Sequence, residues 1–421
     1  MTITKTGYRQ TEVGLIPDDW GFGKIKGFAL ITTGNKNTQD KIKDGMFPFF
    51  VRSQSVEQIN SFSFDGEAVL TAGDGVGTGK VFHYINGKFD FHQRVYMIYN
   101  FDAHVDGYYF YLQFSTYFYS RIMTMTAKSS VDSVRMEMVA DMGIPLPPLS
   151  EQRAIAKALS EVDNLIHHLE RLIAKKKAIK KGTMQQLLTG KKRLPGFEKE
   201  KGYKQTELGL IPKDWEILSF DECFQFLSTA NYSRAQLELN ENCMYVHYGD
   251  IHTRWNHFLD LSVENLPSIS KKLATGYHLI NEGDLIMADA SEDYEGICKC
   301  VEAINVKEQE VVSGLHTFLL REKFQIFAAG FKAYFHSNQK IKQQFDRLAT
   351  GLKVYGVSKT NLKKVLIPTP CLKEQEAITK ILMDMERELK AIERKHAKAL
   401  AFKQGMMQEL LTGKTRLPIE E

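Results

Sequence analysis

Positions at alternating steps of four and three, most of them apolar, run through Ile378, Leu382, Met385, Leu389, Ile392, His396, Ala399, Lys403, Met406 and Leu410. The same register runs earlier through Ile155, Leu159, Val162, Ile166, Leu169, Ile173, Lys176, Lys180, Thr183 and Leu187. Seven-residue spacing sustained in this way is the seam of a coiled coil. At about 1.5 Å per residue, roughly 40 residues without a proline make a helix of about 60 Å. Two such helices predict each other as partners, packed antiparallel. Each follows a proline-containing turn, Ile144 to Pro148 and Ile367 to Pro370, and each ends at Leu-Leu-Thr-Gly, where Gly190 and Gly413 serve as C-terminal caps.

The two helical stretches are copies. Residues 144–195 align without a gap on residues 367–418 and keep 27 of 52 positions. A second repeat precedes them: residues 7–20 match residues 202–215 at 11 of 14 positions, ending in Trp20 and Trp215, each expected to anchor in an apolar socket. The chain therefore repeats the order short motif, dissimilar region, long helix. The first helix leads through Gly190 to Pro195 into the second motif, whereas Gly413 to Pro418 has nothing to lead into. A pseudo-two-fold, nearly circular arrangement follows, with residue 418 beside the motif at residues 7–20.

Between the motifs and the helices, residues 21–143 and 216–366 share little sequence. Strand-like alternation marks Ala68 to Ala72, Lys80 to Ile85 with an Asn86-Gly87 hairpin turn, and Arg94 to Tyr99 in the first. In the second it marks Tyr245 to Tyr248, Asp284 to Ala288 and Thr317 to Leu320. An aromatic helical stretch follows in each, Tyr108 to Tyr119 and Phe324 to Phe335. Each region reads as an α+β domain on a curved, mostly antiparallel sheet. The expected boundaries are 1–20, 21–143, 144–196, 197–215, 216–366 and 367–421.

Composition narrows the function. The net charge of +4 permits binding to nucleic acid without requiring it, yet the stretch from Arg171 to Arg193 carries nine Lys or Arg and no acid. Five cysteines without a Cys-x-x-Cys pair argue for a reducing compartment and against structural zinc. His247, His252 and His257, spaced by five, would alternate faces on a strand and so do not read as metal ligands. With no signal peptide at residues 1–5 and no apolar run of bilayer length, a cytoplasmic protein is expected. The glycine-rich Ala72 to Lys80 fails as a phosphate loop, because Asp74 stands where glycine is needed and Val81 follows the lysine, so a flexible hairpin turn is expected there. Pro147-Pro148 is flanked by leucines and makes no amino-methylation motif, and no nuclease carboxylate cluster stands out.

The Pro-x-Pro-Pro-Leu-x-Glu-Gln run at Pro145 to Gln152, its copy at Pro368 to Gln375, the Leu-Leu-Thr-Gly exits and the Gly-Leu-Ile-Pro-x-x-Trp openers resemble the specificity (S) subunits of type I restriction-modification enzymes. Cys371, where Pro148 stands in the first copy, departs from the pattern. The resemblance covers the whole chain. It implies two α+β target-recognition domains, each reading one half of a bipartite asymmetric site in double-stranded DNA. It also implies that the helices form a spacer and dock two modification (methyltransferase) subunits, with restriction subunits as further partners. Catalysis would belong to those partners, using S-adenosylmethionine, ATP and Mg²⁺, with no cofactor and no membrane contact on this chain. Two unlike domains on a rigid rod are also what reading two short sequences one duplex turn apart, about 34 to 36 Å, requires. A stand-alone DNA-binding regulator and a coiled-coil scaffold are the alternatives.

Base reading requires side chains that grip base edges bidentately, with separate phosphate contacts. The candidates in the first region are Arg52, Ser53 and Gln54, then Gln93 and Arg94, then Lys128, Ser129 and Ser130 with Arg135. In the second they are His247, Tyr248, Arg254, Lys353, Tyr355, Ser358 and Lys359.

Overall fold

The computed structural model describes residues 7–125, 133–238, 242–307, 309–351 and 353–418. Two compact units divide the chain: Met1–Arg171 with Glu393–Glu421, and Leu172–Ile392. Candidate positions Lys128, Ser129 and Ser130 lie outside the described residues.

The first unit opens with the ribbon β1 (Tyr8–Thr11) and β2 (Gly14–Pro17). Strand β3 (Gly21–Lys24) then pairs antiparallel with β10 (Gly143–Leu146). The Ile144 to Pro148 segment, expected as a turn, thus begins as a strand. A two-stranded ribbon leaves its outer edges free, so Pro145 costs no central ladder bond there.

Between β3 and β10 lies a six-stranded sheet of β4 (Leu30–Thr33), β5 (Phe47–Phe50), β6 (Glu57–Ile59), β7 (Phe64–Ala72), β8 (Phe82–Phe91) and β9 (Val95–Tyr99), in spatial order β4-β9-β7-β8-β5-β6. All neighbours are antiparallel except β5 with β8. The Asn86-Gly87 turn is absent, because β8 runs straight through it, placing Gly87 opposite Gly66 and Asn86 opposite Glu67. Facing glycines at φ +147° and +151° let the paired strands bend together, and Phe64 and Phe89 pack beyond them at 5.5 Å. The hairpin turns instead at residues 73–81. Helix α1 (Gly107–Thr124), capped by the Asp106 carboxylate on the Tyr109 amide, stacks Phe110, Phe114 and Phe118 into the core with Phe82 and Ile98. The short α2 (Met136–Ala140) and the long α3 (Leu149–Leu188) follow.

The second unit repeats the plan with other content. Ribbon β11 (Tyr203–Thr206) with β12 (Gly209–Pro212) precedes β13 (Glu216–Ser219), which pairs with β24 (Leu366–Thr369). Helix α4 (Phe220–Cys223) leads into β14 (Phe224–Leu227), and β15 (Cys243–Val246) ends at His247, which caps α5 (Tyr248–Thr253). Tyr248, expected in the strand, therefore opens a helix, because the His247 ring accepts the Gly249 amide and turns the chain. Next come β16 (Phe258–Asp260), β17 (Ser268–Ile269), α6 (Lys271–Ala274), β18 (Leu285–Ala288), β19 (Ala290–Ser291), β20 (Cys300–Ile304), β21 (Val311–Ser313) and β22 (Thr317–Glu322). They form a five-stranded sheet β14-β22-β18-β20-β16 and a three-stranded sheet β17-β15-β21.

Phe324 to Phe335 is not the expected helix. The buried Glu302 carboxylate accepts the amides of Gly330 and Ala333, the half-buried Glu322 carboxylate accepts those of Ile326 and Phe327, and these bonds draw the chain into successive turns around Lys332. Helix α7 (Gln339–Leu348) follows instead, then β23 (Tyr355–Gly356), α8 (Lys359–Leu362), β24 and the long α9 (Leu372–Leu410).

The two long helices carry the register read from the sequence. In the first unit Ile155, Leu159, Ile166, Leu169, Ala399 and Leu410 are buried, with Lys403 reaching Asp163 at 2.6 Å and His396 reaching Glu170 at 3.3 Å. In the second, Leu187, Ile378, Leu382, Leu389 and Ile392 are buried, while Lys176 meets Glu388 at 2.6 Å and Lys180 meets Glu386. Val162, Ile173, Met385 and Met406 are half-buried. Pairs from α3 advance as those from α9 recede, so the helices run antiparallel within each unit.

Each helix start is locked by a buried carboxylate. Glu151 accepts from the Trp20 indole at 3.2 Å and from Arg416, which also grips Asp19 at 3.0 and 2.9 Å. Glu374 accepts from Trp215 at 3.0 Å and from Arg193 at 2.7 and 2.8 Å, and Arg193 also grips Asp214. The tryptophan sockets are therefore not purely apolar. The neighbouring glutamines stitch the preceding loops: Gln152 bonds Asp106, His104 and Pro147, and Gln375 bonds Ala328, Ile326 and Pro370. Gly190 and Gly413, at φ +70° and +67°, close both helices, and a Cβ on either would sit 2.5 Å from Pro212 or Pro17. Tyr8 donates to the Gly413 carbonyl at 2.9 Å, so within the first unit the segment after α9 lies against the β1–β2 motif.

Arg193→Ala should destabilise the protein by about 3 kcal/mol in chemical denaturation at neutral pH, since it leaves Glu374, 1% exposed, buried without its cation. Asp214 is held below its usual 3.8, first by the Arg193 hydrogen bond. A depressed carboxyl pKa gives stability that is present above 3.8 and lost as pH falls through the lowered value, so the variant should lose less stability than the parent on acidification below about pH 4. A permutant opened at Gly196, with its original ends joined by a short linker, should keep the parental circular dichroism and melt within about 5 °C of it. Failure of that permutant to fold would contradict the arrangement.

Candidate nucleic-acid interface

In the first unit four loops meet at one end of the sheet. The loop after β5 carries Arg52, whose guanidinium donates to Asp74 in the β7–β8 turn at 2.9 Å. Arg94, just before β9, lies 3.7 Å from the other Asp74 oxygen. The backbones are joined as well: Gly73 donates to the Arg94 carbonyl, Val134 donates to the Gly73 carbonyl, and Asp74 pairs with Ser133 ahead of α2. Arg52 and Arg94 are exposed around one half-buried carboxylate, and Arg135, also exposed, follows two residues after Ser133. Gln93 donates to Asn37 at 2.6 Å, and exposed Gln54 follows Ser53, whose carbonyl sits 3.2 Å from the buried His83 ring. Burial pushes the His83 pKa down, so this support is uncharged at neutral pH.

The second unit brings together the corresponding loops with different chemistry. His247 and Tyr248 follow β15, with ring centroids 4.7 Å apart, and Tyr248 meets the His316 ring at 5.4 Å. His316, just before β22, is 3.2 Å from Asp289 in the β18–β20 connection. The backbone bonds follow the first unit's pattern: Asp289 donates to His316 and accepts from Val357. Strand β19 pairs with β23, and Tyr294 packs on Tyr355 at 4.0 Å. Burial and the nearby Arg234 lower the His247 pKa, and burial raises that of Asp289, so the histidine is a neutral donor or acceptor at pH 7.

The remaining candidates scatter. Ser358 caps α8 by accepting the Asn361 amide, and Lys359 lies over the Phe226 ring at 5.2 Å. Lys353 is exposed. Arg254 is drawn to Glu264 and Asn265 and packs on Trp255. His247, His252 and His257 contact Gly249, Ala290 and Ser337 respectively, and among the described residues no group of three His, Cys, Asp or Glu side chains gathers as metal ligands. Sequence reasoning missed Asp74, Asp289, His316 and Arg234. Asp74 was visible as the one acid inside a glycine-rich turn, but its partners became adjacent only through the sheet order.

No helix among the described residues is long and apolar enough to cross a membrane. The profile of the type I restriction modification DNA specificity domain matches residues 17–181 and 212–400. The MjaVIII specificity subunit of Methanocaldococcus jannaschii is 24% identical, over 96% of this chain and 94% of that protein. The EcoDI specificity subunit of Escherichia coli is 25% identical, over 94% of this chain and 88% of that protein. The fold is shared with the solved S subunit of a type I restriction-modification system from M. genitalium, at a TM-score of 0.60 and 13% identity over 93% of this chain and 96% of that one. With a short motif, an α+β domain and a long helix each built twice, and with the family profile matched across both halves, this chain belongs to the specificity subunits of type I restriction-modification enzymes, the recognition rather than the catalytic component.

Proposed function

We propose that each loop cluster reads one half of a bipartite asymmetric site in double-stranded DNA, and that the paired helices set the spacer and dock two modification subunits. The observation carrying this reading is that one loop arrangement is built twice with unlike side chains, Arg52, Asp74 and Arg94 in one unit and His247, Tyr248, Asp289 and His316 in the other. A shared scaffold with different reading groups suits two different half-sites. Arginine can grip guanine bidentately, and a carboxylate can accept from the amino group of cytosine. The methyl transfer and any cleavage fall to partner modification and restriction subunits in the cytoplasm, which would bring S-adenosylmethionine, ATP and Mg²⁺.

Mapping methylated adenines in cells with and without this chain should reveal one bipartite motif that depends on it; no motif, or a continuous one, would overturn the reading. Arg52→Ala and Arg94→Ala should each relax the methylated motif at one position of one half-site, a loss of about 1–3 kcal/mol of discrimination, without lowering the melting temperature. One heptad inserted in α3 between Leu169 and Lys176, and one in α9 between Leu389 and His396, should lengthen the spacer by about three base pairs, since seven residues rise about 10 Å. The half-site sequences should stay unchanged; altered half-sites at constant spacer would contradict the role of the helices.

A further inference from the structure

The β7–β8 turn carries a feature that ion pairing does not explain. Val76 is 99% exposed, the most exposed of the large apolar side chains among the described residues, and it stands at the tip of residues 73–81. The turn beneath it is built rather than slack. Thr78, 3% exposed, returns both its amide and its hydroxyl to the Gly75 carbonyl at 3.0 and 2.7 Å. Lys80 and Val81 donate to the Gly77 carbonyl, and Val134 ties down Gly73. Gly75 and Gly79 hold φ of +79° and +67°. A Cβ at Gly77 would lie 2.4 Å from the Arg52 carbonyl, and one at Gly79 would lie 2.4 Å from Ile122. Glycine is thus required where the turn crosses its neighbours, and the one bulky side chain left at the tip projects into solvent beside Arg52 and Arg94.

We infer that Val76 is a specificity-determining residue that packs against the 5-methyl group of one thymine in the major groove of the half-site read by the first unit. In that groove all four bases offer hydrogen-bonding atoms, and thymine alone adds an apolar methyl group. A valine cannot use the former, whereas the guanidinium groups beside it can, so the tip divides the reading between charge and shape. The corresponding turn of the second unit, Glu292 to Glu295, has no aliphatic tip and instead presents Tyr294, half exposed, against Tyr355. Side chains that wedge between base steps from the minor groove are larger, and that alternative predicts no dependence on the methyl group.

The inference rests on the DNA-reading function proposed above, and its test separates the two. The specificity subunit, purified with its modification subunits, is titrated on duplexes carrying the mapped site in which each thymine is replaced singly by deoxyuridine, which removes only the methyl group. One replacement should weaken binding about three- to tenfold, less than a methylene in a closed pocket can contribute. Val76→Ser should bind the parent site weaker by the same factor, lose its response to that one replacement, keep its response to all others, and melt at the parental temperature. Val76→Thr, which keeps one methyl in the same shape, should fall between them. If no single deoxyuridine distinguishes Val76→Ser from the parent, or if the variant weakens unrelated duplexes equally, the assignment of Val76 is wrong while site-specific binding still stands. Absence of any site-specific binding by the parent complex would instead remove the reading on which it rests.

Discussion

Two buried carboxylates organise this molecule. Glu151 and Glu374, each 1% exposed, stand at the first turns of the long helices, and each gathers three separate stretches of chain: the tryptophan motif, the helix it opens, and the arginine that follows the other helix. A carboxylate removed from water is tolerated only when its hydrogen-bonding capacity is filled, so these groups fix which residues must meet. The arrangement joins Arg416 to the opening motif and Arg193 to the second motif, and it thereby commits α3 and α9 to opposite directions. The heptad seam and the ion pairs along it then add to a register already decided at the ends.

With the helices set, each sheet domain is held at its base by a two-stranded ribbon, β3 with β10 and β13 with β24. The chain leaves and rejoins the helical framework at adjacent points, so the domain content between can change without disturbing the frame. That freedom suits the proposed reading of a different half-site by each domain. The candidate loops sit where strand ends converge and hairpins turn, and their backbones are tied in the same pattern in both units even though the side chains are unrelated.

The sequence disclosed the frame more fully than the surface. The long helices, their seam, their glycine caps and the duplicated order were legible because a seven-residue period and a 27-of-52 identity are strong signals. Local signals misled where a distant group prevailed. Asn86-Gly87 has the composition of a hairpin turn, but Gly66 across the sheet lets the strand continue. Phe324 to Phe335 has helical composition, but Glu302 and Glu322 capture its amides. At the candidate interface, Arg52 and Arg94 stood out as candidates because arginine can grip a base edge, yet their meeting at Asp74 follows from strand order, which periodicity does not encode. The partnership of Asp289 with His316 was hidden for the same reason.

On the proposed reading, the two domains are independent readers carried by one doubled frame. Exchanging residues 216–366 for the corresponding segment of another specificity subunit, and mapping the methylated motif of the chimera, tests this most directly. One half of the motif should change to that of the donor while the other half and the spacer persist. A motif altered in both halves, or unaltered in either, would contradict it.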